Sequence, residues 1–305
     1  GMGDPAYESL EQVESERSGA RLTPRFLWAA EAIDGERNNY DFMRATVTEA
    51  SLERQLERIR ALEPDIVKMY VRLKMDWQER VIAAGHELGI PSFSHYTFPA
   101  MPFGMDCCSH WATQRLGYHL TMSASSAAYD DTVDLYAQSQ MGIIITRGSA
   151  VMLRTYPGFL EDRRMQQLLT PWQYEQMRGQ HDQQQSEASL ADYREFLDGH
   201  RRILRAGGLV LTGTDEPLSL NVWGLQPTVA GLVAHGGFTT VEALRTVTSA
   251  PAKVMGLEGQ LGTVETGALA DLVFVRGNPL TRIQDLWNVE MVMKNGRLHT
   301  IDDLI

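Results

Sequence analysis

Four side chains that can bind a metal ion or carry a proton stand near the carboxyl ends of strand-like segments. They are Lys68, His95, His110 and Asp215. The carboxyl ends of parallel strands meet at one edge of a sheet, so we expect these side chains to lie close together. Imidazole and carboxylate groups bind divalent metal ions, and the combination therefore predicts a metal site. Each residue alone also has a structural alternative, such as a turn at Asp215 or an ion pair between Lys68 and Asp65.

The segment Asp65–Leu73 predicts a strand that carries three polar side chains on one face. Side chains alternate along a strand, so Lys68, Tyr70 and Arg72 are expected to share that face. A lysine in an apolar strand must be neutralised, paired or modified, because an isolated buried ammonium group is costly. Tyr70 and Arg72 are candidates for binding an oxyanion or a substrate carboxylate, with hydrogen bonding at the rim of the sheet as the structural alternative.

Strand-like and helix-like segments alternate along most of the chain. The strand-like segments are Arg25–Ala30, Asp65–Leu73, Pro91–Tyr96, Met105–His110, Gly142–Thr146 and Leu209–Asp215. Ser51–Leu62 carries leucine and isoleucine at helical spacing, and capping boxes at Asp76/Glu79 and Thr239/Glu242 predict two further helix starts. The alternation predicts an α/β fold with a parallel sheet covered by helices, either open or closed into a barrel.

Two regions depart from this alternation. Residues 152–205 have no strand signal and predict a helical insert, with a mobile loop at QHDQQQSEAS, residues 180–189. Residues 256–305 are strand-like again, and Asn295-Gly296 predicts a tight hairpin turn. We therefore expect a small β lobe after the main domain.

The composition is that of a globular protein, with 305 residues, 43% of them hydrophobic and 22% charged. A net charge of −11 argues against nucleic-acid and anionic-membrane partners. Cys107 and Cys108 are adjacent, so we expect no disulfide framework. We find no bilayer-spanning apolar run and no signal peptide; the cytoplasm is the default location, and export stays open if a preceding segment carries a signal.

The sequence resembles the metal-dependent amidohydrolases of the imidazolonepropionase and prolidase-like branch. The strongest match is GTDEP, residues 213–217, with GGFTTVEALRTVTSAPAKVMGLEGQLGTVETGALADLVFVRGNPL and VMKNGRL after it. Upstream, VKMYVRL, SHYTFP, GMDCCSH and PRFLWAAEAIDGER extend the resemblance over nearly the whole chain apart from the insert. It implies a (β/α)8 TIM-type barrel in residues 3–255, a small β-sandwich lobe in residues 256–305, and hydrolysis of amide or peptide-like C–N bonds by a metal-activated water.

The resemblance also implies roles for individual residues. Lys68 resembles the lysine that becomes a metal-bridging carbamate, while His95 and His110 resemble the two histidine ligands, with His119 as the alternative to His110. Asp215 resembles the aspartate that binds metal and accepts a proton from the nucleophilic water. One or two divalent ions are implied, with zinc expected, and the substrate would be a small amide or a dipeptide.

One departure from the family pattern is that no His-x-His motif occurs, since all eight histidines lie at position 86 or later. The family carries this motif on its first barrel strand. We therefore expect the barrel to be incomplete at its N-terminal strands and this chain to be impaired in catalysis. The alternative is a non-catalytic truncated barrel that acts as a scaffold or self-associates through an open sheet edge.

Overall fold

The computed structural model describes residues 5–38, 40–95, 97–109, 129–155, 160–182, 186–215 and 224–304. They pack into two compact units. The first draws on residues 1–122, 136–144 and 253–257, and the second on residues 123–135, 145–252 and 258–305.

Strands and helices are interspersed along the described chain. The strands are β1 (Ile33–Asp34), β2 (Arg44–Ala45), β3 (Val67–Lys68), β4 (Ser92–Ser94), β5 (Cys107–Cys108), β6 (Gly142–Ile145), β7 (Val210–Thr212), β8 (Leu272–Val275), β9 (Val289–Lys294) and β10 (Arg297–Thr300). The helices are α1 (Ala6–Arg17), α2 (Glu49–Leu62), α3 (Met75–Glu87), α4 (Asp130–Ser139), α5 (Ser149–Thr155), α6 (Arg163–Leu168), α7 (Pro171–His181), α8 (Glu187–Arg205), α9 (Leu225–Gly236), α10 (Thr240–Arg245) and α11 (Ser249–Val254).

The central sheet keeps its strands in chain order, from β3 to β7. In the first unit, β3 pairs with β4, β4 with β5 and β5 with β6, all in parallel. The last residue of β6, Ile145, belongs to the second unit, where its carbonyl accepts a hydrogen bond of 2.8 Å from the amide of Gly213, just after β7. The predicted parallel sheet is therefore confirmed.

The sequence-predicted strand at Arg25–Ala30 is wrong. In this segment only Ala29 forms a β-bridge, to Ile66, and the first strand comes later, at Ile33. The reason lies at Trp28, whose amide donates to the carboxylate of Asp65 at 3.0 Å instead of to a backbone carbonyl. A side chain thus takes the place of a ladder partner and interrupts the pairing.

The helix caps agree with the sequence at one predicted position and differ at the other. Helix α10 begins after Thr239, and the reciprocal Thr239–Glu242 capping box is present. The box predicted at Asp76 and Glu79 is wrong, because α3 starts two residues earlier than predicted, after Lys74, without a side-chain cap. The shift leaves Asp76 inside the first turn, where its charge favours the positive end of the helix dipole.

The predicted helical insert is confirmed in its described parts, which form helices α5 to α8. Helix α8 buries Leu190, Tyr193, Leu197 and Ile203 at helical spacing. Of the predicted mobile loop, residues 183–185 lie outside the described residues, while both of its ends are helical.

The C-terminal lobe is a three-stranded antiparallel sheet in the order β10-β9-β8. Asn295 and Gly296, with φ values of 50° and 77°, make the tight turn between β9 and β10, which confirms the predicted hairpin. In the described part of the lobe this is a single sheet, where a sandwich was expected. Among the helices that the structure describes, none combines the length and the apolar character needed to cross a bilayer.

Candidate active site at the carboxyl ends of β3, β4 and β5

Lys68 is the last residue of β3, and its side chain is almost completely buried, at 4% exposure. Its Nζ donates a hydrogen bond to Oγ of Ser109, which follows β5. An ammonium group in such a place needs hydrogen-bond partners to offset the loss of hydration. The buried lysine predicted from the sequence is therefore present and has a named partner.

His95 follows β4 directly and is buried, at 7% exposure. Its ring meets the ring of Tyr70 edge to face, with 4.4 Å between centroids. This contact restricts the orientation of the imidazole ring, which a metal ligand or a proton-transfer group requires.

The register of the sheet places these residues on one face. Lys68 is opposite Phe93, and Phe93 is opposite Cys107. Because side chains alternate, His95 and Ser109, each two residues farther along, point to the same side as Lys68. The bond from Lys68 to Ser109 agrees with this assignment. A lysine amine, an imidazole and a hydroxyl therefore converge at the carboxyl ends of three adjacent parallel strands.

Arg72 was predicted on the strand with Lys68, but it lies in a turn beyond the end of β3. Regular pairing ends at Met69, and Arg72 sits in a turn, so alternation does not extend from Lys68 to Arg72. The carboxylate of Asp34 accepts hydrogen bonds from the amides of Arg72 at 2.7 Å and Gly35 at 2.9 Å. It also faces the Arg72 guanidinium across 3.7 Å. Asp34 is fully buried, and its carboxylate accepts the hydrogen bonds that these two amides would donate to a neighbouring strand if β1 and β3 were longer.

The two cysteines are free and buried, as predicted, and occupy opposite faces of β5. Cys107 shares the face of Lys68, and burial raises the pKa of its thiol well above the ordinary value, against the opposing effect of the Lys68 charge. Cys108 lies within 3.7 Å of the Thr97 hydroxyl. Burial thus keeps Cys107 a neutral thiol beside the lysine.

Asp215 belongs to the second unit and stands three residues beyond β7. The backbone before it is held by the bond from Gly213 to Ile145 and by a bond of 3.0 Å from the Thr212 amide to the Thr246 carbonyl. Asp215 itself is exposed and has a left-handed backbone, with φ of 56°. Such a conformation is uncommon for a residue other than glycine and is found at functional turns more often than elsewhere.

His110 and His119 lie outside the described residues, so their positions stay predictions. In the ranges that the structure does cover, no three His, Cys, Asp or Glu side chains are grouped so as to hold a metal ion. The expected ligands that are described in the first unit, Lys68 and His95, do share one face and are both buried. Lys68 and His95 alone are fewer donors than a metal site needs, so the ligand set stays a prediction.

Sequence reasoning missed Ser109 and Asp34. Ser109 precedes the predicted ligand His110, and alternation along β5 would have placed it beside Lys68. Asp34 carried no such signal, because its partner Arg72 is distant in the sequence.

Part of the chain resembles a known protein family. Residues 174–299, which include Asp215, match the model of the amidohydrolase family. This match covers less than half of the chain, so it is a resemblance between its C-terminal part and that family. None of the curated proteins matches this sequence.

Solved structures resemble this chain over almost its whole length. A Xaa-Pro dipeptidase with methionine bound in its active site has a TM-score of 0.68 at 18% identity, covering 98% of this chain and 74% of that one. Bottromycin amidohydrolase has a TM-score of 0.68 at 17% identity, covering 97% and 69%. Ochratoxinase from A. niger has a TM-score of 0.65 at 14% identity, covering 97% and 70%. The fold is therefore of the TIM-type α/β barrel class with a C-terminal β lobe.

Proposed function

We propose that the protein hydrolyses the C–N bond of a small amide or dipeptide with the help of a divalent metal ion, zinc being the expected one. The observation that carries the proposal is the convergence of buried Lys68 and His95 on one face at the carboxyl ends of β3 and β4. Active sites of parallel barrels are built at these ends of the strands.

Lys68, as a carbamate, together with His95 and His110 would hold the ion, with His119 as the alternative to His110. A neutral Lys68 amine would add to carbon dioxide and release a proton to solvent to form the carbamate. Burial favours the neutral amine, and the Ser109 hydroxyl would donate a hydrogen bond to the new carboxylate. When bound, the metal ion lowers the pKa of a coordinated water and polarises the substrate carbonyl.

Other residues would carry out the proton transfer and bind the substrate. Asp215 would take a proton from the attacking water and return it to the leaving nitrogen, as a general base and then a general acid. Tyr70 would donate its hydroxyl proton in a hydrogen bond to the developing oxyanion. Arg72, whose guanidinium is 31% exposed and oriented by Asp34, would bind a substrate carboxylate.

The absence of a His-x-His motif bears on how many ions can bind. We propose that only the ion assigned to Lys68, His95 and His110 is held firmly, and that turnover is low in consequence. A titration with zinc that saturates near two tightly bound ions per chain would contradict this part of the proposal.

Metal analysis of the purified chain by inductively coupled plasma mass spectrometry tests the assignment. We expect about one divalent ion per chain, since the His-x-His ligands of a second ion are absent from this sequence. Lys68→Ala should lose it, while Lys253→Ala, a change at an exposed lysine, should retain it. Equal metal content in the wild type and Lys68→Ala would overturn the role of Lys68. A metal-free chain that hydrolyses no dipeptide would instead favour the non-catalytic scaffold.

A further inference from the structure

A line of aromatic rings leads from the candidate site to the surface of the first unit. The ring of His95 meets Tyr70 with centroids 4.4 Å apart, and Tyr70 meets Tyr40 at 5.9 Å. Tyr40 in turn stacks on Phe42, with centroids 5.3 Å apart and planes only 5° from parallel. Each step lies within the distance at which aromatic rings attract one another.

The loop that carries Tyr40 and Phe42 is held in place by its own contacts. Between β1 and β2, the Asn38 side-chain amide donates to the carbonyl of Met43 at 2.6 Å, and the Met43 amide donates to the carbonyl of Tyr40 at 3.1 Å. Met43 is buried in a cluster with Tyr70. The two outer rings are therefore presented by an anchored segment and need little ordering when a ligand arrives.

The two rings are more open than packing requires. Tyr70 is already buried at 4% exposure, whereas Tyr40 and Phe42 each keep 38% of their surface exposed. The stacked pair thus leaves apolar surface in water, and a ligand that covered it would remove that cost. A stacked pair with an open side is suited to take a further ring.

We infer that Tyr40 and Phe42 form a subsite for an aromatic ring of the substrate, so that the amides preferred by this protein carry an aromatic side chain. The inference rests on the proposed function for the position of the bond that is cleaved. It adds the substrate class, which neither the metal ligands nor Asp215 determine.

Two amides that differ only in a phenyl group test this inference. N-acetyl-L-phenylalanine and N-acetyl-L-alanine share the acetamide and the carboxylate, and hydrolysis of either gives acetate and the free amino acid. We expect a higher kcat/KM for the phenylalanine compound. In Tyr40→Leu and in Phe42→Leu the ratio of the two kcat/KM values should fall about threefold to tenfold, the range that one aromatic pair contributes.

Two further variants separate ring recognition from general damage. Tyr40→Phe keeps the ring and should restore the wild-type ratio. Trp172→Leu removes a ring of 66% exposure from α7, in the second unit, and should leave the ratio unchanged. Hydrolysis of both amides with a ratio that is the same in wild type, Tyr40→Leu and Phe42→Leu would overturn the subsite while leaving the proposed function intact.

Binding data cover the case in which neither amide is hydrolysed. Isothermal titration calorimetry then gives the ratio of dissociation constants for the same two compounds. A preference for the phenyl compound that Tyr40→Leu abolishes would support the subsite even though the proposed hydrolysis had failed. Equal binding of the two compounds by the wild type would overturn it.

Discussion

Lowering the pH should destabilise this protein through one buried histidine, His200 in α8. Its side chain has no exposed surface, and one ring nitrogen, Nδ1, lies 2.8 Å from the carbonyl oxygen of Phe196. Burial lowers the pKa of His200 to about 4; the hydrogen bond to Phe196 opposes that shift and the charge of Arg147 adds to it. The folded state therefore keeps a neutral ring at pH values at which an unfolded histidine is protonated.

The sign and size of the effect follow from proton linkage. Between about pH 6.5 and pH 4 the unfolded chain binds a proton at His200 that the folded chain does not, so stability falls as the pH falls. From pH 7.5 to pH 5, His200 alone should remove about 2 kcal/mol from the free energy of unfolding. At ordinary m values this lowers the urea midpoint by about 1 M.

Urea unfolding followed by far-UV circular dichroism at both pH values measures this loss. His200→Gln cannot titrate but keeps an amide donor, so its midpoint should depend less on pH than that of the wild type, by about 1 M between the two pH values. His181→Gln removes a half-buried histidine from α7 and should follow the wild type. Parallel pH profiles for wild type and His200→Gln would refute the assignment of this loss to His200.

Two further predictions concern stability. Gly35→Ala would place a Cβ 2.1 Å from the backbone oxygen of Arg72 and should lower the free energy of unfolding by about 3 kcal/mol, the upper end for overpacking. Gly179→Ala, in α7 with open space around it, should instead raise the free energy of unfolding by about 0.5–1 kcal/mol. Equal urea midpoints for the two variants would contradict this argument. The hydrogen bond from Arg205 lowers the pKa of Glu242 to about 2, so Glu242 contributes stability above pH 4.5 that is lost toward pH 2. Glu242→Gln should therefore be about 1 kcal/mol less stable than wild type at pH 6, after discounting for solvent screening, and nearly equal to it at pH 2.5. Glu265→Gln, at an exposed position, should match the wild type at both pH values, and a Glu242→Gln deficit that persists at pH 2.5 would show that charge is not the cause.

Local signals in the sequence were sufficient for several features of this fold. The capping box at Thr239 and the hairpin at Asn295-Gly296 involve residues that are neighbours in the chain, and both are present. The alternation of strands and helices indicated a parallel sheet, and alternation along β3 placed a buried lysine on one of its faces. The division into a barrel of residues 3–255 and a lobe of residues 256–305 stays a prediction, as do the roles assigned to the site residues.

The sequence by itself determined which side chains are available for chemistry and where most of the strands and helices form, because those patterns extend over only a few consecutive residues. Only the tertiary structure decided where the strands end and which groups meet. The carboxylate of Asp34 accepts a hydrogen bond from the amide of Arg72, and the strand ends after Lys68. Lys68 donates a hydrogen bond to Ser109, which follows another strand of the same sheet. In each pair the partners lie 38 or 41 residues apart, so their meeting depends on the packing of the whole sheet, which no local spacing encodes.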